Sequence, residues 1–209
     1  MEQQQRIPEW YKDRAGCATA SRIADIMAKT RSGPSASRAN YLAELVAERL
    51  TGEPQSGYTN GAMQWGIDHE PHALAAYEDR KLCVVEPVGF IKHPHIDWAG
   101  ASPDGVVSAM DGQSGLLEAK CPNTKTHIEY ITNQSIPQKY IYQMQWQMAC
   151  TGAAWCDFAS FDPRLPADLQ LWIRRVDRDP DTIHTLETEV QKFLGEVSET
   201  IAKLRSMTC

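Results

Sequence analysis

Ser102-Pro103-Asp104-Gly105 is followed, thirteen residues after its aspartate, by Leu117-Glu118-Ala119-Lys120, and the reading of these two stretches decides the fold. As the strands of one β-hairpin they bring two carboxylates and an amine together. Glu118 and Lys120 are two residues apart, so on a strand both side chains leave the same face. Asp104 is expected to close the first strand just before a turn at Gly105. Leu116-Leu117 read as strand core, and Cys121-Pro122 ends the second strand. Two convergent acids can hold hard divalent cations through oxygen. A cation held there can acidify a water and stabilise a displaced phosphoryl group. The nearby Lys120 can hold or deprotonate that water. The bland alternative is an ordinary turn at Asp104-Gly105 and a solvated ion pair between Glu118 and Lys120. Four positions in so short a motif leave both readings open.

The rest of the chain sets the frame. With 209 residues and 42% hydrophobic content it can bury one sizeable core, and a single domain over residues 1–209 is expected. No run of eighteen apolar residues occurs, so no membrane span is expected. The first six residues, Met1 to Arg6, carry no apolar signal segment, which points to a cytoplasmic protein. Cysteines at 17, 83, 121, 150, 156 and 209 form no Cys-x-x-Cys pair, so they read as reduced thiols rather than a zinc ribbon or a disulfide framework. The net charge of −6 argues against a nucleic-acid coat protein, but a metal ion reverses the local sign of an acidic site. Lys12, Arg14, Arg22, Lys29, Arg31 and Arg38 cluster early, with Asp13 and Asp25 as the acids among them. They suit either a solvated helix face or an arm that contacts phosphates.

Patterning predicts helices first, then strands. Residues 10–27 read as a turn and a helix with Thr19 or Ser21 as cap, residues 31–35 as a loop, and residues 36–50 as a helix striped by Tyr41, Leu42, Leu45, Val46 and Leu50. Residues 62–80 read as a helix, with a kink or break at Pro71 near Glu70. Strands are expected over 82–91 (bent at Pro87), 98–103, 116–120, 154–161 and 169–176, with helices over 126–133 and 138–150 between them. A last helix from Asp181 carries a long apolar stripe from Ile183 to Leu204, expected to cover the sheet. The sum is one α/β domain, a central mixed sheet flanked by helices.

Several ordered blocks resemble the lambda-type phage exonucleases, the YqaJ-like viral recombinases of the PD-(D/E)XK nuclease superfamily. Trp10-Tyr11-Lys12-Asp13-Arg14 with Thr19-Ala20-Ser21 is similar to that family's amino-terminal signature, and Trp65-Gly66 with Glu70 to its WG…E helix. Ser102-Pro103-Asp104-Gly105 and Leu117-Glu118-Ala119-Lys120-Cys121-Pro122 resemble its two site strands, Tyr142 to Met148 its Gln-rich helix, and Phe161-Asp162-Pro163-Arg164 its DPR turn. The resemblance implies a restriction-endonuclease-like fold. It further implies Asp104, Glu118 and the carbonyl of Ala119 as ligands of two Mg²⁺ ions (Mn²⁺ able to substitute), with Glu70 completing the cluster from its helix. Lys120 would orient or deprotonate the attacking water. Gln145, or else Gln143, would touch the water or the scissile strand. Arg14 would receive a terminal 5′-phosphate with Ser21 as second contact, and Met63 would be a wedge between parting strands, against the plainer reading of a core methionine.

By the same resemblance the activity would be 5′→3′ resection of double-stranded DNA to mononucleotides, leaving a 3′ strand for phage recombination. A homotrimer threaded by DNA and a single-strand annealing protein as partner would follow. An endonuclease of the same superfamily and a silent module that only holds DNA ends are the rival readings, since one fold hosts many activities.

Overall fold

Two adjacent leucines explain how the sheet is buried on both faces. Leu116 and Leu117 point to opposite sides of one strand, and both are buried. In the computed structural model, which describes residues 5–31, 33–55, 60–108 and 114–207, that strand is the middle of a five-stranded mixed sheet.

In chain order the elements begin with α1 (Pro8–Arg14), β1 (Ala18–Thr19), a 3₁₀ turn (Ala20–Arg22) and α2 (Ile23–Met27). The strand pair β2 (Lys29–Thr30) and β3 (Gly33–Pro34) then precedes α3 (Ala36–Thr51) and α4 (Gly61–Lys81). Short strands β4 (Val85–Glu86), β5 (Ile91–Lys92) and β6 (Ala99–Ala101) lead to the hairpin of β7 (Gly105–Ser108) and β8 (Ser114–Lys120). Helices α5 (Thr124–Asn133) and α6 (Gln138–Thr151) are followed by β9 (Trp155–Phe161), β10 (Leu171–Asp177) and α7 (Pro180–Ser206).

The large sheet runs β10-β9-β8-β7-β4, antiparallel throughout except for the parallel pair β8–β9. That pair needs a crossover, which α5 and α6 provide. One sheet face buries Leu116, Cys156 and Phe158 against Tyr130 of α5 and Met144 and Met148 of α6. The other buries Leu117, Trp155 and Ala159 with Val85 and Val107 against Tyr77 of α4. A second, small sheet, β1-β6-β5, lies with the helices around Trp146, Tyr41 and Phe193.

Several expectations need correction. The segment 10–27 is more than a turn and one helix: it holds most of α1, then β1, a 3₁₀ turn and α2. Gly16 turns the chain at φ +73°, where a Cβ would lie 2.7 Å from the Arg49 side chain, and residues 18–19 pair in parallel with β6. Thr19 holds the cap position of the 3₁₀ turn without a capping side-chain bond. The strand expected over 82–91 is two strands in two sheets, β4 on β7 and β5 on β6, with Pro87, which has no N–H to donate, in the gap. Gly33 and Pro34, expected in a loop, pair with β2. α4 runs unbroken through Pro71. α7 packs mainly on α2, α3 and α6 rather than covering the sheet.

Gly105 is also not a turn residue, and the strand expected over 98–103 is not the hairpin partner of β8: residues 99–101 form β6, which pairs with β1 and β5 in the small sheet. Gly105 opens β7 opposite Leu117, and its Cβ position is filled by Val85 Cγ1 of the neighbouring strand, 2.0 Å away. The loop joining β7 to β8 falls at residues 109–113, outside the described residues.

Candidate active site

β8 places its odd residues Leu117 and Ala119 toward α4 and its even residues Glu118 and Lys120 toward α6. Glu118 is 0% exposed, so its carboxylate needs partners within the protein. It has three. Oε1 accepts from Lys120 Nζ and from Gln143 Nε2 at 2.7 Å, and Oε2 accepts from Gln147 Nε2 at 2.5 Å. Gln143 and Gln147 are one turn apart on α6 and so share a face. Charge-assisted bonds of this kind fix a carboxylate's orientation.

Asp104 comes from the segment between β6 and β7 and is tied to β8 at both its ends. Its N–H donates to the Leu117 carbonyl at 3.2 Å, and its Oδ2 accepts the Ala119 N–H at 2.7 Å. Burial, and then the Glu118 charge, push the Asp104 carboxyl well above the usual carboxylate range, with Lys120 opposing and Glu70 adding to the rise. For Lys120, burial disfavours the charge, but Glu118 and Asp104 outweigh it and hold the ammonium above its ordinary range. Burial, with Glu70 next, pushes the Cys121 thiol up to about 12, so it is not available as a thiolate. Around Glu118 and Asp104 the candidate metal donors are oxygens, with the Lys120 ammonium beside them.

Lys120, Cys121 and Gln143 border a cavity of about 810 Å³ whose wall also includes Ser21, Met63, Glu70 and Ala119, with the fully buried Glu118 held behind Lys120 and Gln143. Glu70 of α4 therefore reaches the same space as β8 despite Pro71. Met63 is 54% exposed and is not a core residue. Arg14 is not in the cavity wall. Its guanidinium stacks on Trp10 at 4.0 Å, and the Trp10 indole N–H donates to Ser102 Oγ at 2.9 Å, next to the Asp104 segment.

Gln145 requires a correction. Its amide donates to the Asp177 carbonyl at 2.8 Å and accepts the Asp179 N–H at 2.9 Å, so it fastens the β10–α7 corner and does not enter the site. Gln143 is the expected glutamine that does. Gln147 and Arg6 were not anticipated in the site. Gln147 carries a visible signal, the i,i+4 relation to Gln143. Arg6 carries none, because its partner Glu70 is remote in sequence.

The donor chemistry suits a hard divalent cation. The Asp104 carboxyl, raised by burial and then by the Glu118 charge, sits where added positive charge would be favourable. Among the described residues no three His, Cys, Asp or Glu side chains form a ready cage. Mg²⁺ does not need one: it is commonly held by one or two carboxylates, with waters and substrate phosphates supplying the rest.

A mixed sheet sandwiched by helices, with an acid at the mouth of one strand and Glu-x-Lys along the next, defines a protein of the restriction-endonuclease-like fold. The chain belongs more particularly to the YqaJ-like viral recombinase family, whose domain model matches residues 9–154. It is similar, at 48% identity and a TM-score of 0.88, to the alkaline exonuclease LHK-Exo of Laribacter hongkongensis, with 97% of this chain and 98% of that chain covered. The complex of LHK-Exo with dAMP gives the same identity and coverage with a TM-score of 0.89. A phage-related exonuclease from Haemophilus somnus 129PT shares the fold at 13% identity, with a TM-score of 0.71 over 90% of this chain and 96% of that one. No curated protein matches the chain. Among the described residues no helix is long and apolar enough to cross a membrane.

Proposed function

We propose that the protein is a Mg²⁺-dependent 5′→3′ exonuclease that resects double-stranded DNA ends to mononucleotides and leaves a 3′ strand for phage recombination in the host cytoplasm. The observation that carries this reading is the buried Glu118 carboxylate near Asp104, held by Gln147 and by Lys120 and Gln143, two residues that line a cavity. That a relative 48% identical forms a complex with dAMP, a deoxynucleoside monophosphate, supports mononucleotide release.

Asp104, Glu118 and the Ala119 carbonyl would hold the cations, with Glu70 as an outer carboxylate. When bound, such ions supply a water of lowered pKa and charge stabilisation for the leaving oxygen. Gln143 and Gln147 keep Glu118 in one orientation and so spare the reaction that cost of ordering. Lys120, held as an ammonium by its carboxylate neighbours, orients water by donating to it. It can act as a base only when those carboxylate charges are offset. Ser21 and Met63 stand in the cavity wall where a DNA end would enter, as phosphate contact and wedge. Arg14, outside the wall, would meet the 5′-phosphate on the flank marked by Trp10 and Ser102. A homotrimer around DNA and a single-strand annealing partner complete the proposal.

The test is digestion of a linear duplex carrying one 5′-phosphate, with each strand labelled distinctly, in Mg²⁺ and in EDTA. The expected outcome is Mg²⁺-dependent loss of the phosphorylated strand to mononucleotides, with its complement intact. Lys120→Ala should lower the rate by roughly 10²–10⁴-fold while DNA binding persists. Internal fragments or cutting of closed circles would instead show an endonuclease, and a wild-type protein inert with every divalent cation would show a binding module.

A further inference from the structure

The segment preceding α1 is clasped to the segment that delivers Asp104. The Gln5 side-chain amide donates to the carbonyls of Val88 at 2.9 Å and Pro103 at 2.7 Å. The second clasp is the bond from the Trp10 indole to Ser102. Between the two pins Arg6 has φ +64°, a left-handed conformation that residues with a Cβ seldom adopt. The effect of that turn is to send its side chain into the cavity, where a guanidinium nitrogen lies 2.5 Å from Glu70 Oε2.

Two observations separate this pair from the buried set around Glu118. Arg6 and Glu70 remain 28% and 26% exposed, so water can take the place of either partner at small cost. The pair also joins a cation of the chain to a carboxylate that borders the same cavity as Lys120 and Ala119. A guanidinium and a divalent cation cannot both occupy one carboxylate at full strength.

We propose that Arg6 is a built-in competitor for divalent cation at Glu70: it neutralises that carboxylate in the metal-free protein and gives it up when a cation enters. Arg6 thereby sets the metal concentration at which the cluster fills. Once displaced, its guanidinium is still tethered by Gln5 at the cavity, where a phosphate oxygen is the natural substitute for the lost carboxylate. The inference rests on the reading of Glu70 as an outer carboxylate of the metal site.

The experiment is a titration of DNA-free protein with Mn²⁺ alone, following free Mn²⁺ by electron paramagnetic resonance. Arg6→Ala is expected to bind Mn²⁺ roughly twofold to fivefold more tightly than wild type, as removal of a partly exposed ion-pair competitor should. Arg6→Gln, which keeps an uncharged polar stem and preserves packing, should shift the same way. In a Glu70→Gln background the Arg6→Ala change should have no effect. Unchanged or weaker Mn²⁺ binding in both Arg6 variants would overturn the inference. So would an equal tightening in the Glu70→Gln background, which would mark a general charge effect. Absence of Mn²⁺ binding by wild type would instead overturn the metal-site reading itself, and the inference with it.

Discussion

At the level of single residues, three glutamines two positions apart on α6 do different work because a helix turns about 100° per residue. Gln143 and Gln147 face Glu118, whereas Gln145 faces the β10–α7 corner. Gln147→Ala should therefore lower the cleavage rate, because one oxygen of a fully buried carboxylate loses its donor. Gln145→Ala should cost about 1–2 kcal/mol of stability, read by denaturant melts, with the rate per folded molecule unchanged. Gly105 is a second case. The sequence Asp104-Gly105 reads equally well as a turn, and nothing local reveals that Val85 fills the space a Cβ would need. Gly105→Ala is expected to push β4 from β7, with a loss of roughly 1–3 kcal/mol in thermal or urea unfolding and slower cleavage through the shift of Asp104.

At the level of elements, legibility follows the kind of signal. α3, α6 and α7 were readable because their apolar stripes repeat at helical spacing over several turns. α7 buries Ile183, Leu186, Val190, Phe193, Leu194 and Val197 as its stripe predicts, and only its packing partners differ from expectation. The short strands β1, β4 and β5 were not readable, because two residues carry no periodicity and their pairing is decided by distant chain. Pro71 shows the opposite error, a strong local rule overridden by packing. Ala73 and Tyr77, just beyond it, are buried against the sheet and hold α4 in one piece. Pro71 is itself exposed, so Pro71→Ala restores a helical N–H without removing a core contact. It should raise stability by about 1–3 kcal/mol in thermal unfolding.

At the level of the whole molecule, the candidate site is a source of instability that a cation should relieve. The Asp104 carboxyl is held well above its ordinary range in the folded protein, first by burial and then by Glu118. An acid raised in this way stabilises the fold below its unfolded value, about 3.9, and that contribution is lost as pH rises toward the folded value. Metal-free protein should accordingly be less stable at neutral pH than near pH 5. Asp104→Asn, which keeps an acceptor for the Ala119 N–H, should raise the Tm in EDTA at neutral pH by roughly 2–4 °C for each kcal/mol gained. Added Mg²⁺ should raise the Tm of wild type and leave Asp104→Asn little changed. A mutant that melts below wild type in EDTA would contradict the strained-acid account.

By itself the sequence determined the class of fold, the main helices, and Asp104, Glu118 and Lys120 as one cluster. These rest on alternation along a strand, the stripe of a helix, and ordered blocks that resemble one family. Tertiary structure alone decided which glutamines aim Glu118, that Gly105 lies in a strand, that α4 stays whole through Pro71, and that Arg6 meets Glu70. Each of these depends on what a distant segment places beside the residue. A side chain's partner across the fold is set by the packing of whole elements, which no local spacing encodes.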